Sequence, residues 1–240
     1  MMRLILVRPE PEAGRSAARL ARLGHEVVNA PLLVTEPIAQ GQAAGSARDD
    51  VAALVVTSPR SAGLIDDGTR AAFRHLPVFA VGDRTAAAML ETGFADVRSA
   101  AGDILALGRL IAAAGLPTGA RLLSLGGEER AGDLAALVAP AGLTVERRIL
   151  YRMVQVGSLP PSLGAALRAP GPAAVLHYSP RSAETFVARV GEAGLATAAA
   201  RLDHLCLSPA VAAPLARAGF GRLRIAATPD EAALLALIEG

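Results

Sequence analysis

Short apolar runs alternate along the chain with segments whose apolar residues recur every three or four positions. The runs "LILV" (4–7), "EVVNA" (26–30), "ALVVT" (53–57), "VFAV" (78–81) and "DVRSA" (96–100) have the length of strands. So do "RLLSL" (121–125), "TVERRILY" (144–151), "AAVLHY" (173–178), "HLCL" (204–207) and "RLRIA" (222–226). The segments between most of them, such as "RSAARLARLG" and "TAAAMLETG", have helical spacing, and Gly24, Gly93, Gly142 and Gly219 stand where helices stop. Alternating strand and helix predicts parallel sheets covered on both faces.

The pattern also repeats itself. "SPRSA" occurs at 58–62 and again at 179–183. "RLILVRPEPEAGRSAARLARLGHEV" matches "RLLSLGGEERAGDLAALVAPAGLTV", with Leu4 on Leu122 and Gly24 on Gly142, both offset by 118. The offset grows to 121 at Ser58 and Ser179, 126 at Gly93 and Gly219, and 127 at Asp103 and Asp230. Loop insertions produce such a slow drift. The chain therefore reads as an internal duplication, with five strands expected in each half. Two extended, partly alternating stretches, 31–38 and 147–156, look like connections between domains. A plain tandem needs one connection. Two of them predict that the chain leaves the first domain early and returns late, with these stretches paired as a short ladder.

Composition narrows the field of functions. Apolar residues make up 52% of the 240, yet no run approaches the roughly 20 residues of a membrane span. The opening "MMRLILVRPEPEAGR" holds only four apolar residues in a row, Leu4 to Val7, before charge and Pro intervene, so it reads as a buried strand and not a signal peptide. The expected location is the cytoplasm. The formal charge is +2, and all 24 basic residues are Arg, which removes any Schiff-base lysine but leaves groups suited to gripping carboxylates. No Arg run, no Trp and 3% aromatics give no platform for nucleic acid. Cys206 stands alone in an apolar stretch, so buried packing is expected and cysteine metal sites and internal disulfides are excluded. His25, His75, His177 and His204 are scattered without metal-ligand spacing, so a metal enzyme is not expected. No dinucleotide fingerprint, Walker loop or nucleophile elbow is present.

The strand-to-helix corners carry the remaining chemistry. Ser58-Pro59, Ser179-Pro180, Ser208-Pro209 and Thr228-Pro229 each come after a strand, and Ser or Thr before Pro suits a helix N-cap and first position. Gly82, Gly126 and Gly127 hold equivalent corners, where the backbone must approach something closely. In a parallel sheet these corners gather at the C-terminal edge, the usual ligand edge of α/β proteins. Each offers free N–H groups worth roughly 0.3–1 kcal/mol per anionic group in exposed settings. Candidate ligand contacts on this reading are Arg8, Ser58, Pro59, Arg60, Ser61, Gly82, Gly126, Gly127, Ser179, Arg181, Ser208 and Thr228; Pro9 and Thr85 join them only through the resemblance given below. Any doubly wound fold needs N-caps, so capping without a ligand is the plain alternative. Arg8, Arg60 and Arg181 either meet ligand carboxylates or are solvated. Glu10, Glu12, Glu128, Glu129 and Arg130, at the first corner of each half, are acid–base groups or solvated caps. Tyr151 ends a bridging strand, where a phenol serves as a weak acid or packs across strands. Tyr178, beside Ser179, reads as core or cleft lining.

These residues resemble the uroporphyrinogen-III synthase family. The resemblance lies in Arg8-Pro9, "GHEVVNAP" (24–31), "VTSPRSA" (56–62), "FAVGDRTA" (79–86), "ILYR" (149–152), "YSPRSAETF" (178–186) and "LSPAVAAPL" (207–215), in order from residue 3 to about 238. It implies two flavodoxin-like, doubly wound α/β lobes joined by a two-stranded ladder. Residues 1–33 with 155–240 would form one lobe, 39–147 the other, and 34–38 with 148–154 the bridge. It implies an active-site cleft between lobes and a cofactor-independent lyase of tetrapyrrole biosynthesis. Hydroxymethylbilane would lose water and close to uroporphyrinogen III with its last pyrrole inverted. The acetate and propionate arms of that substrate make it the polyanion the corners suit. Tyr151 matches the tyrosine proposed to assist hydroxyl departure, and Ser58, Thr85, Ser179 and Thr228 match hydroxyl-bearing cleft positions. His177 departs from a more usual apolar residue, and Val211 stands where the first half has Thr85. A monomer is expected. The rival readings are a non-catalytic two-lobe binding protein for an anionic ligand and an inactive family member.

Overall fold

The computed structural model describes residues 2–39, 50–129 and 132–238. Eleven strands run through these residues: β1 (Arg3–Leu6), β2 (Glu26–Asn29), β3 (Leu33–Pro37), β4 (Val51–Val56), β5 (Val78–Ala80), β6 (Val97–Ser99), β7 (Arg121–Gly127), β8 (Thr144–Gln155), β9 (Ala173–His177), β10 (Asp203–Cys206) and β11 (Leu223–Ile225). One sheet has the order β11-β10-β9-β1-β2, the other β3-β8-β7-β4-β5-β6. Read from the far edge, the second sheet runs β6-β5-β4-β7-β8, the same order as the first, with β3 added outside β8. The repeat seen in the residues is thus also a repeat of topology. Leu4 pairs with Val27 and Ala174, while its counterpart Leu122 pairs with Val145 and Ala53, all in parallel.

The chain divides into two compact units, Met1–Thr35 with Val154–Gly240, and Glu36–Met153. Each is an α/β layer structure with apolar packing on both faces of its sheet. In the first unit Ile5, Val175 and Cys206 pack with Phe186, Val190 and Leu215, while Leu4, Leu6 and Leu176 pack with Leu20 and Leu234. In the second, Leu54, Val56 and Leu125 pack with Phe73, Met89 and Tyr151, while Ala53, Val55 and Leu122 pack with Leu107 and Ile111. Burial on both faces explains why the central strands read as unbroken apolar runs. The helix Glu12–Arg22 buries Ala13, Ser16 and Leu20, a stripe at helical spacing. Gly24, Gly93, Gly142 and Gly219 all come after helices in the left-handed region, φ between 73° and 93°. Among the described residues no helix is long and apolar enough to cross a membrane.

Two of the four histidines, far apart in sequence, meet in the fold. Cys206 stands opposite His177 in the β9–β10 register, so His204, two residues earlier, shares the same face. His177 Nε2 and His204 Nδ1 are 3.0 Å apart, and both residues are fully buried. His204 Nε2 lies 3.1 Å from the Ala199 carbonyl, which only accepts, so that nitrogen carries hydrogen. In the neutral ring Nδ1 is then an acceptor, and His177 must donate from Nε2. His177 Nδ1 is left as a buried acceptor with no partner among the described residues. Phe186 and Phe220 close round the pair edge-on, with ring centroids 4.9–5.5 Å from the imidazoles. Burial first, then the neighbouring His204, holds His177 well below the ordinary histidine value. The Cys206 thiol is buried as expected, and burial pushes it up to about 12, far from a reactive thiolate.

Candidate active site

Both copies of Ser-Pro-Arg-Ser-Ala lie at C-terminal strand ends, and each opens a helix. Ser58 Oγ accepts from Arg60 N at 3.3 Å, and Ser179 Oγ accepts from Ser182 N at 3.2 Å, with Pro59 and Pro180 at the start of the turn. The two helices differ in length and type. Pro180–Glu192 is an α-helix of 13 residues, whereas Pro59–Leu64 is a short 3-10 helix. The second copy continues into "ETFVARV". The first meets Gly63, and Asp66 then caps a new helix, Asp67–Phe73, by accepting from Thr69 N at 2.7 Å. The serine pairs also differ: Ser179 and Ser182 hydroxyls are 2.8 Å apart, while Ser61 Oγ is buried without a partner among the described residues.

The other two Ser/Thr-Pro corners correct the expectation of four side-chain caps. Ser208 occupies the cap position before Pro209, but its side chain makes no capping bond. Thr228 lies outside the helix Glu231–Ala236; Asp230 is the cap, accepting from Ala233 N at 2.9 Å. Thr228 Oγ1 donates to Asp230 Oδ2 at 2.6 Å. That bond, then the helix N–H, holds the Asp230 carboxyl below its ordinary value. Asp outcompetes Thr for the cap because its charge complements the helix end.

In the second unit the expected residues share one sheet edge. Ser58, Pro59, Arg60 and Ser61 come after β4, Gly82 and Thr85 after β5, Gly126 and Gly127 end β7, and Tyr151 lies on β8. A depression of about 270 Å3 is lined by Thr57, Ser58, Arg60, Gly127, Tyr151 and neighbouring residues. Another, about 390 Å3, has Thr57, Pro59, Gly82, Arg84 and Thr85 in its walls. Thr57 borders both, a position no expectation singled out although it immediately precedes Ser58. Gly82 caps the helix Asp83–Glu91 without a side chain, and nothing lies within 4 Å of where its Cβ would be. Thr85 is 3% exposed, but it reaches the wall of that depression.

Tyr151 is held from several sides. The β7–β8 register slips between Gly126 and Gly127, and Tyr151 pairs with Gly127 beyond the slip. Glu128 N donates to the Tyr151 carbonyl at 2.9 Å, and Arg147 Nη2 donates to the carbonyls of Gly127 and Glu128 at 2.9 and 3.3 Å. The residue is only 7% exposed, packed with Leu125 and Leu150, yet it borders the smaller depression. Its hydroxyl makes no hydrogen bond to the described residues. A buried ring with an uncommitted phenol at a polar hollow can present a hydrogen bond to a ligand.

In the first unit Arg8 and Pro9 come after β1, Ser179 and Arg181 after β9, Ser208 after β10 and Thr228 after β11, again one edge. Arg8 is already engaged. Its Nη1 donates to Ser16 Oγ at 3.1 Å and Glu231 Oε1 at 2.9 Å, and its guanidinium stacks 3.9 Å from the Tyr178 ring centroid. Tyr178 Oη also donates to Glu231 Oε1, at 3.1 Å, and so does Ser16 Oγ. Burial works against charge on Glu231, but Ser16, Arg8 and Tyr178 together hold its carboxyl below the ordinary value. Burial pushes the Tyr178 phenol up to about 12. Tyr178 is thus neither plain core nor a free phenol. Glu231 was not anticipated; its only sequence signal was an acid in the first turn after the last corner. Glu10 accepts from Gly14 N at 2.9 Å and Glu12 pairs with Arg15 at 3.2 Å, the behaviour of helix-end acids. Arg130 lies outside the described residues. Among the described residues no three His, Cys, Asp or Glu side chains cluster as metal ligands.

A family model described as uroporphyrinogen-III synthase HemD matches residues 14–236. No curated protein matches the chain. The structure is similar to that of uroporphyrinogen-III synthetase from Helicobacter pylori, at 15% identity and a TM-score of 0.62, covering 100% of this chain and 99% of that one. A mutant uroporphyrinogen III synthase from the extremely thermophilic bacterium Thermus thermophilus also matches, at 18% identity and a TM-score of 0.49, over 100% and 98% of the two chains.

Proposed function

Since the chain belongs to the uroporphyrinogen-III synthase family, we propose that it closes hydroxymethylbilane to uroporphyrinogen III by the family's cofactor-independent dehydration. The family match over residues 14–236 carries this conclusion. The arrangement at the two sheet edges supports it: Ser58, Ser179, Ser208 and Thr228 border corners rich in N–H groups, and Tyr151 keeps an uncommitted hydroxyl. The chemistry asks little of side chains. The substrate's hydroxyl leaves as water with one added proton, and Tyr151 offers its hydrogen bond to that departing oxygen. The azafulvene so formed is attacked by the substituted carbon of the terminal ring, giving a spiro intermediate that rearranges to the inverted ring. Positioning of the folded chain supplies the catalysis, and oriented reactants of this kind gain several kcal/mol. We assign acetate and propionate arms to main-chain donors and hydroxyls at strand-end corners. Arg8, tied to Glu231, holds its corner in place more than it reaches for substrate. The protein acts as a monomer in the cytoplasm.

The test is the rate of hydroxymethylbilane consumption by the protein after dialysis against a chelator. The expected result is acceleration well above spontaneous closure, undiminished by the dialysis. Binding without acceleration would mark an inactive family member or an anion-binding protein.

A further inference from the structure

We infer that Gly127 is a positioning residue: it lacks a side chain so that the Tyr151 ring can lie directly against its backbone. A Cβ built there would sit 2.8 Å from Tyr151 Cε2, 2.8 Å from Cζ and 3.1 Å from the hydroxyl oxygen. Ordinary contacts begin at 3.4 Å, so one methyl group displaces the outer ring by about 0.6 Å or more. The backbone at Gly127 is not in the left-handed region, so conformation alone does not call for glycine. Its neighbour Gly126 would place a Cβ no closer than 3.7 Å to Thr57 Oγ1. The demand for an absent side chain thus falls on position 127 and on the end of the tyrosine that carries its hydroxyl.

The duplication isolates this feature. The offset of 118 that relates Leu4 to Leu122 and Gly24 to Gly142 sets Gly127 on Pro9 and Tyr151 on Leu33. The first unit therefore has neither member of the pair, while both members occur together in the second. The slip in register beside Gly127 and the Glu128 N–H bond to the Tyr151 carbonyl fix the two backbones to each other. The ring has little room to retreat, because Leu125 and Leu150 pack with it in the core. Glycine at 127 therefore sets where the phenol oxygen stands in the hollow shared with Ser58 and Arg60.

The consequence for turnover rests on the proposed role of Tyr151; the placement of the ring does not. The chain has two tyrosines, so ring-labelled tyrosine gives two sets of resonances, and Tyr151→Phe assigns them. Gly127→Ala is expected to move the Tyr151 resonances and leave those of Tyr178 in place; unmoved Tyr151 resonances overturn the inference. In kinetics with hydroxymethylbilane, Gly127→Ala is expected to lower kcat on the order of 10- to 100-fold with KM within about threefold. It should lower kcat no further in a Tyr151→Phe background. An equal loss in both backgrounds overturns the inference, since Gly127 would then act independently of the phenol. If Tyr151→Phe turns over like wild type while the resonances still move, the acid role of Tyr151 falls and the positioning stands. Should Gly127→Ala fold poorly, the double variant with Tyr151→Leu removes the atoms the methyl would meet. Recovery of folded yield supports the inference, and no recovery overturns it.

Discussion

Tyr151→Phe is expected to lower kcat roughly 10- to 100-fold and to leave KM within about threefold. Phe keeps the ring that packs with Leu125 and Leu150, so the core is undisturbed and only the hydroxyl is lost. That hydroxyl has no partner to strand among the described residues, so its removal leaves no unsatisfied group behind. A stability change near zero, read by urea denaturation, should accompany the fall in kcat. A loss confined to kcat identifies an interaction made in the transition state. If kcat were unchanged, Tyr151 would be a packing residue, the alternative its strand position always allowed.

The second large effect is on stability. Unfolding free energy should fall as pH drops from about 6.5 toward 5, before carboxylates begin to protonate. Burial first depresses His204 to about 4, against opposing help from its bond to the Ala199 carbonyl and from Asp203. In the unfolded chain the same imidazole takes up a proton near pH 6.5. Between those values the unfolded state binds more protons, so stability rises with pH and is lost on acidification. The slope is about 1.4 kcal/mol per pH unit for each such histidine. His177 is displaced in the same direction and steepens it. Asp66, Asp96, Asp103 and Asp230 are held below 3.8 and Glu231 below 4.5, so their contribution is lost at lower pH. Replacing His177 and His204 together by Leu removes both polar partners at once, and the slope between pH 5 and 6.5 should flatten. An unchanged slope in that variant would place the titration elsewhere. His177 ends β9 immediately before Tyr178 and Ser179, so loosening the pair is expected to loosen that corner.

Much of the fold was legible because its signals are local. Strands buried on both faces must be apolar throughout, and the glycines at 24, 93, 142 and 219 mark backbone that side chains disfavour. The duplication was legible as an ordered, slowly drifting offset, and the matching strand orders of the two sheets are its consequence. The contacts that escaped depend on residues distant in sequence. Nothing near Gly127 says that Tyr151, 24 positions on, will lie against it. Nothing near Arg8 names Glu231, because only packing of the last helix beside β1 joins them. His177 and His204 meet only once β9 and β10 are paired in register. Local rules also competed with one another: Thr228 and Asp230 both suit a cap, and Asp230 takes it. The same pentapeptide gave a 3-10 turn or an α-helix according to the residues after it.

Control of substrate shape is the core of this account, and the isomer of the product measures it. Hydroxymethylbilane supplied to the protein, with the products oxidised and separated, should yield predominantly the type III ring. A product consisting only of type I, the ring formed by unguided closure, would contradict it.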